Sequence, residues 1–369
     1  MRDIFLICLI ILLCSLQNTI KGESFSKHKK TKWHKKISPY PIKPEFIKFY
    51  ISKDIDSVRI YNQLFYLNHT SCLGFKEQNS RIKSIGINFL FSKKYSKVVL
   101  STNSKKPTDV YLKKSVLNNT RQLSYYVGLA LGLSPEIQRY DRDKNVKILW
   151  KNIHRSFKKY YKRKKYIDKF SANTSFDFSS VMLINSYYGS KNKGRTYVSK
   201  LYPYYEKLFS QFEFFSHNDL KRINYLYCKD ECEKTHKCDH GGYHEQSCFV
   251  CKCPYRLMDE NVQRNLWASR SEKKLLVKNF AGMCHFSIKS KKGKKIRITV
   301  SELKLSRVNL CAHDIELEIK YSRDKGAVGL RLCDNYKNIK IPAQSSEIFV
   351  TFGDSKPNNK LSISYQEVN

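Results

Sequence analysis

The sequence has few acidic side chains to balance its basic ones. Its 369 residues include 32 Asp and Glu against 69 Lys and Arg, which gives a formal net charge of +37. A charge of this size favours acidic partners, such as sulfated glycans, anionic membrane surfaces or other polyanions. A coding sequence rich in A and T is the alternative explanation for so much lysine. Because 41% of the residues are hydrophobic, the chain can still bury a sizeable core and is not disordered.

Long hydrophobic runs are also lacking. The apolar run from Ile4 to Leu16 follows Arg2 and is shorter than the roughly 20 residues of a membrane-spanning helix. Residues 1–22 therefore predict a secretory signal peptide, with a signal anchor as the alternative. No later segment approaches spanning length. We expect a secreted, extracellular protein that does not span a membrane, and for such a protein nucleic acid is not an expected partner.

Cysteine, by contrast, is plentiful beyond the first 22 residues. Ten of the 12 cysteines lie there, and six of them fall between Cys228 and Cys253. An even number in such a cluster indicates disulfides formed in an oxidising compartment. Three Asn-x-Ser/Thr sequons predict N-linked glycosylation by the same route, at Asn68, Asn118 and Asn173.

Apolar patterns predict several helices and strands. Residues 122–133 contain no proline and are mostly apolar, which predicts a buried helix that Gly132 ends. A charged stretch at 155–169 predicts a second helix. Segments rich in Ile, Val and Phe predict strands at 82–91, 97–101, 295–300 and 315–319, the last two with one buried face.

The helix predicted at 122–133 and the residues that follow it carry a family resemblance. Residues 125–136 read Tyr-Tyr-Val-Gly-Leu-Ala-Leu-Gly-Leu-Ser-Pro-Glu, and residues 139–143 read Arg-Tyr-Asp-Arg-Asp. This resembles the His-Glu-x-x-His-x-x-Gly-x-x-His-Glu motif of astacin-type zinc peptidases, which continues into Arg-x-Asp-Arg-Asp. Gly132, Glu136 and the tail stand in register. The zinc-ligand positions hold Tyr125, Leu129 and Pro135, and the general-base position holds Tyr126.

Further matches follow in the order of the family. Residues 33–40 resemble the start of the astacin domain, and residues 68–75 resemble its Asn-Thr-Cys-Ile-x-Phe. Residues 146–153 read Val-x-Ile-x-Trp-x-Asn-Ile, and residues 176–182 resemble the Met-turn, with Met182 as its methionine. The chain is thus similar to astacin-family zinc metalloendopeptidases of the nematode type, with a degenerate active site.

The remainder of the chain resembles two other extracellular modules. Residues 238–243 resemble the core of an EGF-like module, whose usual final cysteine is missing. The alternating segments beyond Cys284 resemble a CUB domain, which is a β-sandwich. The resemblance therefore implies an α+β chain: signal peptide 1–22, zincin-like astacin domain 23–228, EGF-like module 229–265 and CUB domain 266–369.

The resemblance also implies a set of disulfides. It pairs Cys72 with Cys228, Cys232 with Cys248, Cys238 with Cys251, and Cys311 with Cys333. Cys253 and Cys284 each lack their usual partner, and we expect them to bond to each other. His236, His240 and His244 lie beside the cysteine cluster. We expect them to be exposed loop residues next to disulfides, in preference to a metal site.

The residues at the motif positions do not supply the family's chemistry. A catalytic zinc needs three protein ligands with lone pairs, which Leu129 and Pro135 lack. Tyr125 could bind only as phenolate, against a reference pKa near 10. Tyr126 cannot accept a proton from water near neutral pH. No histidine lies between His69 and His154, so a shifted ligand set on this helix is excluded and no cofactor is expected.

These observations favour an inactive astacin homologue that binds peptide, matrix or host ligands. One alternative is an active zinc metalloendopeptidase with a non-standard site. The other is a basic extracellular protein that binds polyanions. For the latter, residues 157–166 alternate aromatics with cations on the predicted helix, although a solvated helix face would look the same.

Overall fold

The computed structural model describes residues 40, 46–101, 103, 105–164, 173–207, 212–228, 238–244, 250–254, 257, 263–307 and 316–369. The predicted signal peptide, Cys232, His236, Cys248 and Cys311 lie outside these residues. None of the helices in the described ranges is long and apolar enough to cross a membrane.

The first domain opens with a five-stranded mixed sheet in the order β2-β1-β3-β5-β4. Strands β1, β2, β3 and β5 are parallel, and β4 runs antiparallel to β5 at the edge. Inward-facing side chains alternate along β1 and β5, as expected for period-2 burial. The strands are β1 (Ile47–Ile51), β2 (Phe75–Glu77), β3 (Ile87–Phe91), β4 (Lys97–Val99) and β5 (Thr108–Leu112).

Helices cover this sheet and share one apolar core with it. Helix α1 (Ser57–Thr70) begins at Asp56, whose carboxylate accepts from Val58 N at 3.2 Å. It buries Ile60, Leu64 and Leu67, which recur on one helical face. The short α2 (Lys114–Leu117) precedes α3 (Thr120–Ala130).

The second half of the first domain is irregular. Strands β6 (Val146–Ile148) and β7 (Tyr197–Ser199) pair antiparallel among short 3-10 turns, of which Arg155–Tyr161 is the longest described. Helix α4 (His217–Tyr227) closes the domain and begins with a capping box formed by Ser216 and Asp219. A disulfide between Cys72 and Cys228 joins the end of α1 to the end of α4.

A small hairpin and a β-sandwich follow. Strands β8 (Tyr243–His244) and β9 (Cys251–Lys252) pair beside the Cys238–Cys251 disulfide. Two sheets then pack face to face, ordered β10-β12-β17-β14-β15 and β11-β18-β13-β16. This two-layer architecture agrees with the expected CUB β-sandwich. Its strands are β10 (Gln263–Trp267), β11 (Lys273–Lys278), β12 (Gly282–Lys289), β13 (Lys295–Lys304), β14 (Glu316–Lys320), β15 (Leu330–Leu332), β16 (Tyr336–Ile341), β17 (Glu347–Asp354) and β18 (Lys360–Val368).

Two predicted elements of the first domain differ from the structure. The strand expected at 82–91 begins only at Ile87, because Ile82 N donates to Asn88 Oδ1 in a preceding turn. The first part of the helix predicted at 155–169 is a 3-10 helix, Arg155–Tyr161, after which Lys162 is extended; residues 165–169 lie outside the described residues. Tyr161 is fully buried at the end of this 3-10 helix.

The sandwich also departs from the predictions. Strand β10 begins at Gln263 and pairs with β12, so the sandwich starts three residues before the predicted boundary at 266. The strand expected at 315–319 is β14, and it is buried on both faces. Its carboxylates are satisfied inside, since Arg331 donates to Glu316 and Gly329 N donates to Glu318 at 3.0 Å.

The predicted bond between Cys253 and Cys284 is wrong. Cys284 lies on β12 as a half-buried thiol, opposite Phe352 of β17, while Cys253 follows β9 in the hairpin module. A disulfide requires Cα atoms about 4.4–6.8 Å apart, a condition that pairing by elimination does not consider. Cys333 is disulfide-bonded, and its predicted partner Cys311 lies outside the described residues.

The three parts of the chain contact one another through polar groups. Asp324 of the sandwich accepts from Ser175 N at 3.0 Å and from Asn218 Nδ2 at 2.8 Å, both in the first domain. Lys221 Nζ of α4 donates to Gly241 O of the hairpin module at 2.9 Å. These contacts hold the hairpin module and the sandwich against the second half of the first domain.

A buried lysine in the sandwich predicts a pH-dependent stability. Burial lowers the pKa of Lys325 from 10.5 to about 7, although its Nζ donates to Glu347 O at 2.7 Å. Between these values the unfolded chain holds a proton that the folded chain lacks, so stability rises with pH. We expect the free energy of unfolding to rise by up to about 1.4 kcal/mol per pH unit from pH 7 to 9.

Denaturant unfolding at pH 7, 8 and 9 measures this slope. The Lys325→Met variant should lose it, because it removes the titrating group and leaves the sandwich core in place. A wild-type stability that does not change over this interval, or an unchanged slope in the variant, would contradict the assignment.

Candidate functional site

Helix α3 presents the motif positions. Asn119 begins the helix by accepting from Gln122 N at 2.9 Å. Gly132, with φ of +82°, ends it as predicted: Gly132 N donates to Leu129 O and Leu133 N donates to Gly128 O, both at 2.9 Å. These two bonds form a Schellman cap, whose left-handed residue favours glycine. The chain then turns towards Pro135.

The Met-turn lies directly against this helix. Met182 is fully buried, and its carbonyl accepts from Glu136 N at 2.9 Å. A Cβ added to Gly128 would lie 2.5 Å from Met182 Sδ, so glycine is what allows the helix to come this close. The scaffold of helix, turn and methionine is therefore assembled as the resemblance implies.

Tyrosines fill the space in front of the helix. We call Tyr125, Tyr126, Tyr160, Tyr161 and Tyr188 the tyrosine cluster. The rings of Tyr125 and Tyr126 meet edge to face at 5.4 Å, and those of Tyr160 and Tyr188 do so at 5.8 Å. Tyr161 OH donates to Tyr188 O at 2.5 Å. The motif positions on α3 are thus half-buried beside aromatic rings, whereas Leu123, Val127 and Ala130 lie in the core, as expected of a buried helix.

Burial keeps the phenols of Tyr125 and Tyr126 protonated. Burial raises the pKa of Tyr125 above its ordinary value of 10.0, and the neighbouring tyrosines raise it further. Burial also raises the pKa of Tyr126, whose OH donates to Ser96 O at 3.4 Å. Neither side chain supplies a phenolate or a general base near neutral pH.

Zinc does not fit the side chains at these positions. Leu129 packs against the core of the first domain and Pro135 is half-buried, and neither side chain carries a donor atom. Tyr125 would have to lose a proton whose removal its surroundings oppose. After Met182, Leu183 and Ile184 are buried apolar residues, so no polar side chain follows the Met-turn here.

A second group of potential metal ligands lies in the hairpin module. Ligand atoms of Cys238, His244 and Cys251 lie within 4.8 Å of one another. The two sulfurs are bonded to each other, however, and a disulfide offers no thiolate. His240 instead lies 3.3 Å from Glu347 of the sandwich. The preference for disulfides over a metal site at this position agrees with these contacts.

A buried ion cluster lies behind the Met-turn, and the sequence did not reveal it. Glu136 is fully buried, forms an ion pair with Arg222 of α4, and lies 3.5 Å from Arg139 Nε. Burial raises the pKa of Glu136, and the two guanidinium groups oppose that rise. Arg222 also donates to Thr174 Oγ1 at 2.9 Å. Two arginines therefore lie against this buried glutamate.

Asp219 connects this cluster to the Met-turn. Its carboxylate accepts from Ser180 Oγ at 2.6 Å and from Val181 N at 3.0 Å. The Ser216-x-x-Asp219 spacing indicates a helix cap in the sequence, whereas Arg222 is one of two adjacent cations in α4, and no local signal indicates its partner.

Comparison with known proteins settles the family. The sequence profile of the peptidase family Astacin matches residues 25–228, more than half of the chain. The chain belongs to the astacin family. The family match covers the whole domain that holds α3, the Met-turn and the ion cluster.

Relatives are found among nematode proteins. Zinc metalloproteinase nas-34 of Caenorhabditis elegans is 28% identical over 253 residues, covering 66% of this chain and 42% of that protein. Zinc metalloproteinase dpy-31 of Brugia malayi is 32% identical over 138 residues, covering 36% of this chain and 22% of that protein. The chain therefore spans less than half the length of these relatives. The solved High choriolytic enzyme 1 of Oryzias latipes aligns at 21% identity with a TM-score of 0.43, covering 57% of this chain and 98% of that one.

The predicted glycosylation sites lie on the surface of this astacin-family chain. Asn68 is exposed on α1, Asn118 is exposed at the end of α2, and Asn173 is exposed in a turn. Their exposure is compatible with modification, which stays a prediction.

Proposed function

We propose that this chain is a catalytically inactive member of the astacin family that acts by binding a peptide, matrix or host ligand. The observation that carries the proposal is the replacement of all three ligand positions and the general base on an otherwise assembled scaffold. Two members of the tyrosine cluster support it, because Tyr125 stands at a zinc-ligand position of the motif and Tyr126 stands at the general-base position. Zinc-dependent peptide hydrolysis needs a metal site and a general base, and this chain lacks the residues for both.

Secretion is part of the proposal. The family, the disulfide between Cys72 and Cys228, and the basic and apolar start of the sequence support an extracellular location. The hairpin module with its Cys238–Cys251 disulfide is proposed to be EGF-like.

The edge of the first sheet offers a means of binding peptide. Strand β4 pairs with β5 on one side, and among the described residues no strand pairs with its other side. Tyr126 bonds to Ser96 O immediately before this strand, so the edge borders the motif helix. Val99 and Leu100 are 46% and 37% exposed. An extended peptide can add to such an edge through main-chain hydrogen bonds.

Peptide capture tests this proposal. Full-length protein immobilised and exposed to a casein digest should retain a subset of peptides, recovered intact by mass spectrometry. Val99→Asp places a charge on the exposed edge and should weaken retention about fivefold or more, since a central interface contact is worth about 1 kcal/mol or more. Leu276→Asp, on the exposed edge strand β11, is the matched control and should have no effect.

Retained peptides that are cleaved would contradict the inactive assignment. Equal retention by Val99→Asp and wild type would instead show that β4 does not bind them.

A further inference from the structure

The second half of the first domain contains two segments without any acidic residue. Residues 144–164 include nine Lys and Arg, and residues 178–205 include four, whereas neither segment has an Asp or Glu. Residues 273–301 of the sandwich are equally basic, with nine Lys and Arg and no Asp or Glu, so the absence of acidic residues does not by itself distinguish the two segments. What distinguishes them is that the fold joins them and places exposed aromatic rings among their cations.

The fold brings these two segments together on one surface. His154 N donates to Gly189 O and Lys191 N donates to Asn152 O, both at 2.9 Å. Asn152 Nδ2 also donates to Arg195 O at 2.7 Å. A Cβ at Gly189, whose φ is +65°, would overlap the Phe157 ring, so the loop and the 3-10 helix are in direct contact.

The cations of this surface point outward. Six exposed cations from both segments form what we call the basic face: Lys151, Arg155, Lys158, Lys159, Lys191 and Lys193. Asp143 pairs with Arg163 at 3.0 Å at the margin, so Arg163 is not counted. The face adjoins the tyrosine cluster, because the Phe157 ring meets the Tyr188 ring at 5.2 Å.

Exposed aromatic rings lie among these cations. Tyr160 is 39% exposed with Lys159 Nζ 5.1 Å from its ring centroid, and Tyr187 is 48% exposed with the Arg195 guanidinium at 5.1 Å. Each ring therefore lies beside a cation and is paired with it at the surface. An aromatic anchor for a lipid bilayer would instead extend from the surface without such a partner. Flat rings between cations suit a chain of sugar rings that carries closely spaced negative charges.

We propose that the basic face binds a sulfated polysaccharide. The ligand class follows from the exposed cations, the aromatic rings among them and the extent of the face across two segments. This surface is separate from the edge strand β4 and does not depend on the state of the zinc position, so it adds a second partner to the proposed function.

Binding to size-defined heparin oligosaccharides tests the proposal on the full-length protein. Replacement of Lys151, Lys158, Lys159 and Lys191 by Gln should weaken binding about tenfold and reduce its dependence on NaCl, because fewer counterions are displaced. The matched control replaces four exposed sandwich lysines by Gln and removes the same charge: Lys274, Lys291, Lys292 and Lys340. It should stay within about twofold of wild type, since surface charges beyond a Debye length are screened.

Three results would overturn the proposal. Equal weakening in both variants would show that net charge, not the basic face, determines binding. Unchanged affinity for fully desulfated heparin would exclude sulfate recognition. Loss of binding to phosphatidylserine vesicles in the first variant, with heparin binding intact, would assign the face to an anionic membrane instead. A peptide-capture failure at Val99 would leave all three readings unaffected.

Discussion

Replacing Tyr125, Leu129 and Pro135 by His, and Tyr126 by Glu, is expected to give a protein that binds one zinc ion per chain. The first two positions lie four residues apart on one face of α3, and the Gly132 cap directs the third towards them. Pro135 has φ of −56° and ψ of 134°, which histidine adopts without strain. Zinc affinity should rise at least about 10³-fold, because three imidazoles replace side chains that offer no lone pair.

Metal analysis after dialysis against a weak chelator measures this gain. The control keeps Tyr126→Glu and omits the three histidines, and it should bind no more zinc than wild type. Activity in the fourfold variant should remain low, because Leu183 and Ile184 still follow the Met-turn. Failure of the folded variant to bind zinc would show that the ligand positions are no longer arranged as the family requires.

Replacing Arg222 by Met is expected to destabilise the protein by about 3 kcal/mol or more. The change removes the guanidinium that contacts Glu136 and leaves a fully buried carboxylate with Arg139 as its remaining nearby cation. Breaking a buried pair in this way typically costs about 3–5 kcal/mol, since one charge is left without compensation. Urea unfolding of wild type and variant at pH 7 measures the loss.

A double variant and an exposed pair control this prediction. Adding Glu136→Gln to Arg222→Met removes the uncompensated charge and should restore about half of the lost stability or more. Arg59→Met breaks an exposed pair with Asp56 and should change stability by less than about 1 kcal/mol. A loss below about 1 kcal/mol for Arg222→Met would contradict the view that this ion pair holds the Met-turn region together.

Local sequence signals predicted the scaffold of the site. The apolar run before Gly132 and the need for a left-handed residue at the cap placed the end of α3, and the family resemblance identified Met182 as the methionine of the Met-turn. The loss of zinc ligands could be read directly, because it depends only on residue type at fixed spacing. What the sequence showed of the site was therefore its frame and the groups missing from it.

Long-range contacts were beyond that reasoning. Tyr160 and Tyr188 lie near Tyr125, but they belong to two other segments. Backbone hydrogen bonds within the second half of the domain bring those segments together. Arg222 pairs with Glu136 across 86 positions, and nothing in either local pattern indicates the partner. The error at Cys253 and Cys284 has the same origin, since elimination of partners ignores which sheet each residue belongs to.

Metal content and proteolysis of the wild-type protein test the central claim most directly. Full-length protein secreted from a eukaryotic host, dialysed with excess zinc and then desalted, should contain no stoichiometric zinc and should leave casein intact. The chelator 1,10-phenanthroline should therefore change nothing. One tightly held zinc per chain, together with casein cleavage that the chelator abolishes, would contradict the account and identify a working metalloendopeptidase.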